Sequence, residues 1–524
     1  MERHGCLNLP TFSTWVGRIP HLRPARHLLL ALLFCACSPT APPPPRPQSL
    51  VILISIDTLR ADRLGAYGNQ DSLTPHLDRF SREAMLFARV HSQACSTLPS
   101  HASIFTSCYP AQLKLVGRSR HWSIPEDVPT LFQVLRRAGY TTVSFNGGGF
   151  LNANYGFGRE VDILAENLEF DDSVPRVLQL IETRKNGTGE AADKPLFVFL
   201  HSYEVHTPYG YNDLLARRYD LQAAHRSYSQ GITRLISRYR GEPMRLQDVV
   251  SLSAHEQALL LCLTLLEKNR YAELIHEDSR DEVTRYLTRV YAEAHWPALP
   301  EYAAQRRLVE RCYDIGVREA DAALGRLFTG LKRMGIWSES MVVVCADHGE
   351  EFMDHGVVTH PPLFYETLIH TPLLIKPSGR FTAGVLTGPA GNIDISPTIC
   401  DAGGIEPPPG TMGMSLLRDG WGTDRIDLSE EASDEKTELR VALTTDRYKL
   451  IQLDKENSRI FDLEADPGEV REAGQEALTA MKGYVEWAVD RIHKSGPQPG
   501  QEPETAVKID PELRERLQHL GYIE

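Results

Sequence analysis

The run Ser49–Ile56 is apolar almost without a break and ends at an acidic residue, Asp57. A strand written this way has no face for water, so it belongs inside a sheet covered on both sides. Similar runs recur at Thr141–Phe145, Pro195–Leu200, Met341–Ala346 and Pro372–Ile375. Helical patterns lie between them. Thr130–Ala138 carries Leu131, Val134 and Leu135 and stops at Gly139, a helix end that leads straight into a strand. Ile315–Met334 places Val317, Ala320, Ala323, Leu324, Leu327 and Leu331 at helical spacing before Gly335. Strands alternating with helices predict an α/β fold with a mostly parallel sheet flanked by helices.

Other stretches are written differently. Residues 211–310 are polar and helical around the leucine-rich patch Leu259–Leu266, and read as an insertion over one edge of the sheet, placed as a lid would be. Beyond residue 405 come short strands at Val441–Leu443, Tyr448–Leu453 and Arg459–Leu463, the first two joined by a hairpin turn at Thr444–Arg447. These predict a small C-terminal α+β domain over 406–524, whose last part is rich in proline and charge and ends in one short helix. Residues 49–405 form the large domain. With 524 residues, the chain is too long for one ordinary core.

At the N-terminus, Arg18, Arg23 and Arg26 precede the apolar run Leu28–Cys37. The run is too short to span a bilayer and suits a signal-peptide core over residues 1–37. Its end, Leu33-Phe34-Cys35-Ala36-Cys37, is similar to a bacterial lipoprotein cleavage box with Cys37 as the lipidated residue. A plain secretory signal cut nearby is the alternative. Pro42–Pro45, within residues 38–48, reads as a stiff tether. The expected location is periplasmic or on the outer membrane of a bacterium, with the membrane touched only through that anchor. The net charge of −13 argues against a nucleic-acid partner. An acidic chain that is to bind an anionic ligand needs local positive charge, and a bound cation is the simplest source. The cysteines fit no zinc spacing.

In parallel α/β sheets, ligands bind beyond the carboxyl ends of the strands. Asp57 ends the first apolar run, His201 ends the third with His206 close behind, and Asp347-His348 ends the fourth. Burying an Asp-His pair is costly, and ligation of a metal satisfies it. Each residue alone has an ordinary alternative. Asp57 can cap a helix, His348-Gly349-Glu350-Glu351 can form a solvated turn, and His206 can stack beside Pro208-Tyr209. In Cys95–Ser103, Pro99 suits a first helical turn, so a helix over Ser100–Thr106 would point its amide-rich end at Thr97, favouring an anion there. A hydroxyl beside such a site and a divalent ion can attack a phosphoryl or sulfuryl centre; a simple N-cap is the alternative.

Ile56-Asp57-Thr58-Leu59-Arg60-Ala61-Asp62-Arg63-Leu64-Gly65-Ala66-Tyr67-Gly68 resembles the opening signature of sulfatase-like proteins of the alkaline-phosphatase superfamily. Thr74-Pro75-His76-Leu77-Asp78 is similar to their next segment. Thr97-Leu98-Pro99-Ser100-His101 stands in the place of their Cys-x-Pro-Ser-Arg box. His201–Tyr209 is similar to their His-x-Pro-Tyr substrate segment, and Ala346–Phe352, followed by His355, Gly356 and His360, to their Asp-His-Gly-Glu run. Arg459–Glu469 resembles a C-terminal strand of the family. The resemblance implies an alkaline-phosphatase-like sheet and one divalent metal (Mn, Mg, Ca or Zn) held by Asp57, Thr97, Asp347 and His348. It also implies that His201, His206 and His360 contact substrate, with Thr97, His101, His206 and His360 as the catalytic set.

The departures shape the expected chemistry. Sulfatases oxidise the Cys of that box, sometimes a Ser, to formylglycine. Thr97 carries a methyl group on its β-carbon and cannot yield that aldehyde, Cys95 stands two residues early, His101 replaces the box Arg, Thr58 replaces a second Asp, and His370 stands where the family has an Arg. These changes resemble the Thr-nucleophile relatives that transfer phosphoethanolamine or phosphoglycerol. The expectation is a metal-dependent hydrolase or phospho-group transferase acting through Thr97 on a small-molecule, glycan or lipid-headgroup ester. A sulfuric ester hydrolase proper and an inactive binding protein of the same fold are the alternatives.

Overall fold

The computed structural model describes residues 49–519 apart from 116–121, 189–192, 212, 240–241, 294–299, 380, 423–424, 433–438, 455 and 496–510. Residues 1–48, with the expected leader, Cys37 and the expected proline tether, lie outside the described residues. The described strands are β1 (Leu50–Ile56), β2 (Met85–His91), β3 (Thr141–Phe145), β4 (Ile163–Ala165), β5 (Leu196–Ser202), β6 (Ser340–Cys345), β7 (Glu351–Phe352), β8 (Val358–Thr359), β9 (Leu373–Lys376), β10 (Gly384–Gly391), β11 (Asp427–Ala432), β12 (Leu439–Thr444), β13 (Tyr448–Gln452) and β14 (Ser458–Asp462).

Eight of them form one sheet in the order β10-β2-β9-β6-β1-β5-β3-β4. The α/β expectation holds. β1 lies between β5 and β6 and is parallel to both. The sheet is not wholly parallel, because β9 runs antiparallel to β2 and β6. Side chains alternate across β1. Leu50, Ile52, Ile54 and Ile56 enter one core, and Val51 and Leu53 enter the other. The first core is covered by the helices Phe170–Asn186 and Pro300–Arg333, and the second by Thr97–Thr106, Leu131–Arg137 and Ile395–Ala402.

Two helix boundaries correct the sequence reading. The helix expected from Ser100 begins at Thr97, so Pro99 sits inside the first turn, where its missing N–H leaves no bond unmade. The helix expected from Ile315 begins at Pro300 and continues through residues assigned to the insertion. Within residues 211–310, the leucine-rich patch is the helix Ala254–Leu266, and Leu259, Leu260, Leu261, Leu263 and Leu265 join the first core.

β11–β14 form a separate antiparallel sheet against the helix Gln475–Ser495, which contributes Ala477, Met481 and Ala488 to its core. Lys449 of β13 is fully buried and holds Glu366 at 2.6 Å and Glu469 at 3.0 Å. Among the described residues, Cys95, Cys108, Cys262, Cys312, Cys345 and Cys400 are free thiols, and no helix is long and apolar enough to cross a membrane.

Candidate active site

The carboxyl ends of β1, β5 and β6 lie side by side, so the residues that follow them meet. Asp57 leaves β1, and Thr58 turns the chain away with φ of 57°. The Thr58 amide donates to Asp347 Oδ1 at 3.2 Å, which ties the end of β1 to the end of β6. The His348 amide donates to the same oxygen at 2.9 Å. Gly349 passes against the neighbouring backbone, and a Cβ there would lie 2.0 Å from the Thr367 carbonyl oxygen. Glycine is therefore required for His348 to point inward.

Asp57, Thr97, Asp347 and His348 are all fully buried. Thr97 Oγ1 donates to Asp57 Oδ2 at 3.2 Å. Asp57 Oδ1, Asp347 Oδ2 and His348 Nε2 are buried without a hydrogen-bond partner. One ligating atom each from Asp57, Asp347 and His348 lies within 4.8 Å of the others. His348 Nδ1 is 2.9 Å from the Gly349 carbonyl oxygen, which can only accept, so the lone pair resides on Nε2.

The electrostatics agree with a cation position. Burial, then the charge of Asp347, pushes the Asp57 carboxyl well above its usual range. Burial also acts on Asp347, but His348 and His101 outweigh it and hold that carboxyl below its usual value. Two carboxylates this close and this dry need a positive partner to stay ionised together. Two carboxylate oxygens, one imidazole nitrogen and an adjacent hydroxyl make a donor set suited to a divalent ion.

The expected histidines gather around this point. His201 Nε2 is 3.4 Å from Asp57 Oδ2. His206 and His360 have ring centroids 5.5 Å apart, and His360 lies 4.6 Å from His348. Burial holds His201 and His206 well below the usual histidine range. His206 Nδ1 donates to the Thr207 carbonyl, which leaves Nε2 as an acceptor. The helix Ala254–Leu266 supports this segment, because Thr207 Oγ1 and the Tyr209 amide both donate to the Leu265 carbonyl.

His101 is placed differently from the other three. Its Nδ1 donates to the Thr97 carbonyl at 2.9 Å and lies 3.4 Å from Asp347 Oδ2, while Nε2 is 2.9 Å from Ser55 Oγ. Both ring nitrogens are thus engaged behind Thr97. Cys95 points away, into an apolar cluster with Phe364, Tyr365 and Leu368.

Sequence reasoning gave Glu350 no role. Its Oε1 lies 3.1 Å from His360 Nδ1, its Oε2 accepts from Tyr209 Oη at 2.7 Å, and burial raises its carboxyl to about 7. The signal was its position two residues after His348, but only the folded chain shows that it orients His360.

The sulfatase family model matches residues 49–405, and the model described as N-sulphoglucosamine sulphohydrolase, C-terminal, matches 354–484. Choline-sulfatase of Rhizobium meliloti is 30% identical over 169 residues, which cover 31% of this chain and 33% of that protein. N-acetylglucosamine-6-O-sulfatase of Bacteroides thetaiotaomicron is 22% identical over 499 residues, 87% of each chain. Among solved structures, BT4656 in complex with D-glucosamine-2-N,6-O-disulfate aligns with TM-score 0.62 and 18% identity, covering 86% of this chain and 98% of that one. Phosphonate monoester hydrolase of Agrobacterium radiobacter aligns with TM-score 0.58 and 16% identity, covering 85% and 96%. At these identities the structures show the shared fold.

Proposed function

The chain belongs to the sulfatase family of the alkaline-phosphatase superfamily, and from that premise we propose that it hydrolyses phosphate or sulfate esters through Thr97 with one divalent cation bound. The observation that carries this reading is the convergence of Asp57 Oδ1, Asp347 Oδ2 and His348 Nε2, all buried and without hydrogen-bond partners, next to the Thr97 hydroxyl. Asp57, Asp347, His348 and Thr97 would hold the cation, which supplies positive charge to the ester oxygens and to the nucleophile.

The chain's own residues perform the rest. Asp57 Oδ2 accepts the Thr97 hydroxyl proton's hydrogen bond and so fixes the direction of the oxygen lone pairs. His101 grips the Thr97 carbonyl and sets the first helical turn, a supporting task behind the reacting atoms. Thr97 Oγ1 passes its proton to Asp57 Oδ2 as it attacks phosphorus or sulfur, the bond to the ester oxygen breaks, and the departing alcohol takes a proton from His360. With a carboxylate on Nδ1, His360 is the ring suited to hold and release that proton on Nε2. His201 and His206, kept neutral by burial, contact the substrate oxygens. Water then attacks the phosphorus or sulfur and gives a proton to His360, and Thr97 Oγ1 leaves with the proton held on Asp57. Most of the rate comes from positioning and electrostatics.

The related N-acetylglucosamine-6-O-sulfatase and the disulfated-glucosamine complex support a glycan or other small-molecule ester, and the phosphonate monoester hydrolase supports a phosphorus centre. The test is turnover of p-nitrophenyl phosphate, bis-p-nitrophenyl phosphate and p-nitrophenyl sulfate with Mn, Mg, Ca or Zn supplied. Hydrolysis of at least one, lost in Thr97→Ala and Asp347→Ala, supports the proposal. Activities that survive both substitutions remove it, and inertness toward every ester favours a binding role. Export with Cys37 as the lipid-bearing residue belongs to the same proposal. Metabolic palmitate labelling of the wild type but not of Cys37→Ala would support it.

A further inference from the structure

The helix Pro511–His519 lies beyond the residues matched to the family, yet it packs beside the active site. Leu513 and Leu517, one turn apart, are 2% and 0% exposed and enter the core that holds Phe150, Leu151 and Tyr155. At the start of the helix, Glu512 accepts from Asn167 at 3.0 Å.

Arg516 shares the buried face. Its Nε donates to the Gly147 carbonyl at 2.6 Å, its guanidinium carbon lies 5.7 Å from the centre of the Tyr203 ring, and Nη1 lies 3.7 Å from Glu169. Gly147 is where the chain presses on the site. A Cβ there would lie 2.4 Å from the Tyr203 ring and 3.4 Å from His201 Nδ1. The next residues, Gly148 and Gly149, have φ of 73° and 60°, so this turn is built of residues with little intrinsic preference for one conformation. Tyr203 Oη donates to the Gly148 carbonyl at 3.3 Å, and its ring lies 4.5 Å from His201 and 5.3 Å from His206. A continuous line of contacts therefore runs from Arg516 through the glycine turn to the two histidines that face Asp57 and His360.

Building on the reading of the site given above, we propose that Arg516 is a positioning residue: the C-terminal helix clamps the Gly147–Gly149 turn and thereby sets the rings of His201, Tyr203 and His206 for the reaction. Three successive glycines would otherwise sample several backbone states, and each would move the wall on which His201 rests. The charge-assisted bond from Arg516 selects one. The guanidinium contributes through the turn and touches no reacting atom.

The test compares the full-length wild type with Arg516→Ala, Arg516→Lys and the distant control Arg447→Ala. Hydrogen exchange followed by mass spectrometry reads the turn whether or not the protein turns over an ester. Amides over residues 147–151 are expected to exchange at least about tenfold faster in Arg516→Ala, to recover in part in Arg516→Lys, and to stay unchanged in Arg447→Ala. With an ester that the wild type hydrolyses, kcat should fall about tenfold or more in Arg516→Ala while KM changes less, again with partial recovery in Arg516→Lys. Unchanged exchange over 147–151, or faster exchange with an unaltered kcat, overturns the proposal. Faster exchange in Arg516→Ala beside a wild type that is inert toward every ester leaves the clamp standing and removes the ester-hydrolysis reading instead. A lowered melting temperature with unchanged exchange over the turn would show the helix to be a stabilising strap only, and also overturns it.

Discussion

Thr97 Oγ1 donates to Asp57 Oδ2 at 3.2 Å, joining the first residue of a helix to the residue that follows the central strand. That contact places a secondary alcohol at the edge of a buried acidic cluster, and the chemistry follows from it. Replacing Thr97 with Ala removes the attacking atom. Ester turnover is expected to fall by about 10³-fold or more, with Thr97→Ser retaining activity within about tenfold. Intact mass under substrate should show a phosphoryl group on the wild type with a phosphate ester and none on Thr97→Ala. Steady-state rates and mass spectrometry check both.

Glu350 orients His360 from behind, and Tyr209 holds its other oxygen. Glu350→Gln keeps the shape but puts a neutral amide in place of the carboxyl, raised by burial to about 7, that meets Nδ1. kcat for an ester with a poor leaving group should drop about 10- to 100-fold, and for p-nitrophenyl esters, whose leaving group needs little protonation, much less. Equal losses for both leaving groups would contradict a proton-donating His360.

Gly349 has no room for a side chain, since a Cβ would lie 2.0 Å from a backbone oxygen. Gly349→Ala should lower stability by about 1–3 kcal/mol and displace His348, weakening cation binding. Gly210, where an added Cβ would meet nothing within 4 Å, serves as the control, and Gly210→Ala should leave both unchanged. Denaturant midpoints and cation titrations measure the two effects.

His91 of β2 lies between Asp427 at 2.8 Å and Glu366 at 3.3 Å, joining the large sheet to the C-terminal sheet. Burial disfavours the imidazolium, but the two carboxylates outweigh it and hold the ring at about 9. The folded value thus lies above the unfolded value of about 6.5. The stabilisation is complete below about pH 6.5 and is lost as pH rises through about 9, amounting to about 3 kcal/mol. Urea unfolding of the wild type should show this fall, and Asp427→Asn should flatten it.

The central strands and the site residues at their ends were legible because a strand buried on both faces has only one kind of sequence. A polar residue directly after such a run stands out. Asp57, His201, Asp347 and His348 were found this way, and the fold brings them together. β2 and β10 were missed because they lie toward the sheet's edge. β2 mixes buried with half-exposed positions, and β10 carries Gly384, Gly388, Pro389 and Gly391. The start of the helix at Thr97 was hidden because Pro99 is equally at home at its first or third residue. Glu350 and Arg516 act through partners distant in sequence or fixed only by the folded turn, and no local pattern announces them.

The most direct measurement is the divalent metal content of purified full-length protein, wild type against Asp57→Ala, Asp347→Ala and His348→Ala, with folding verified by circular dichroism. The account predicts that the wild type retains about one equivalent of cation per chain and that each folded variant loses most of it. A wild type that binds no divalent cation, or folded variants that keep the wild-type content, would contradict it.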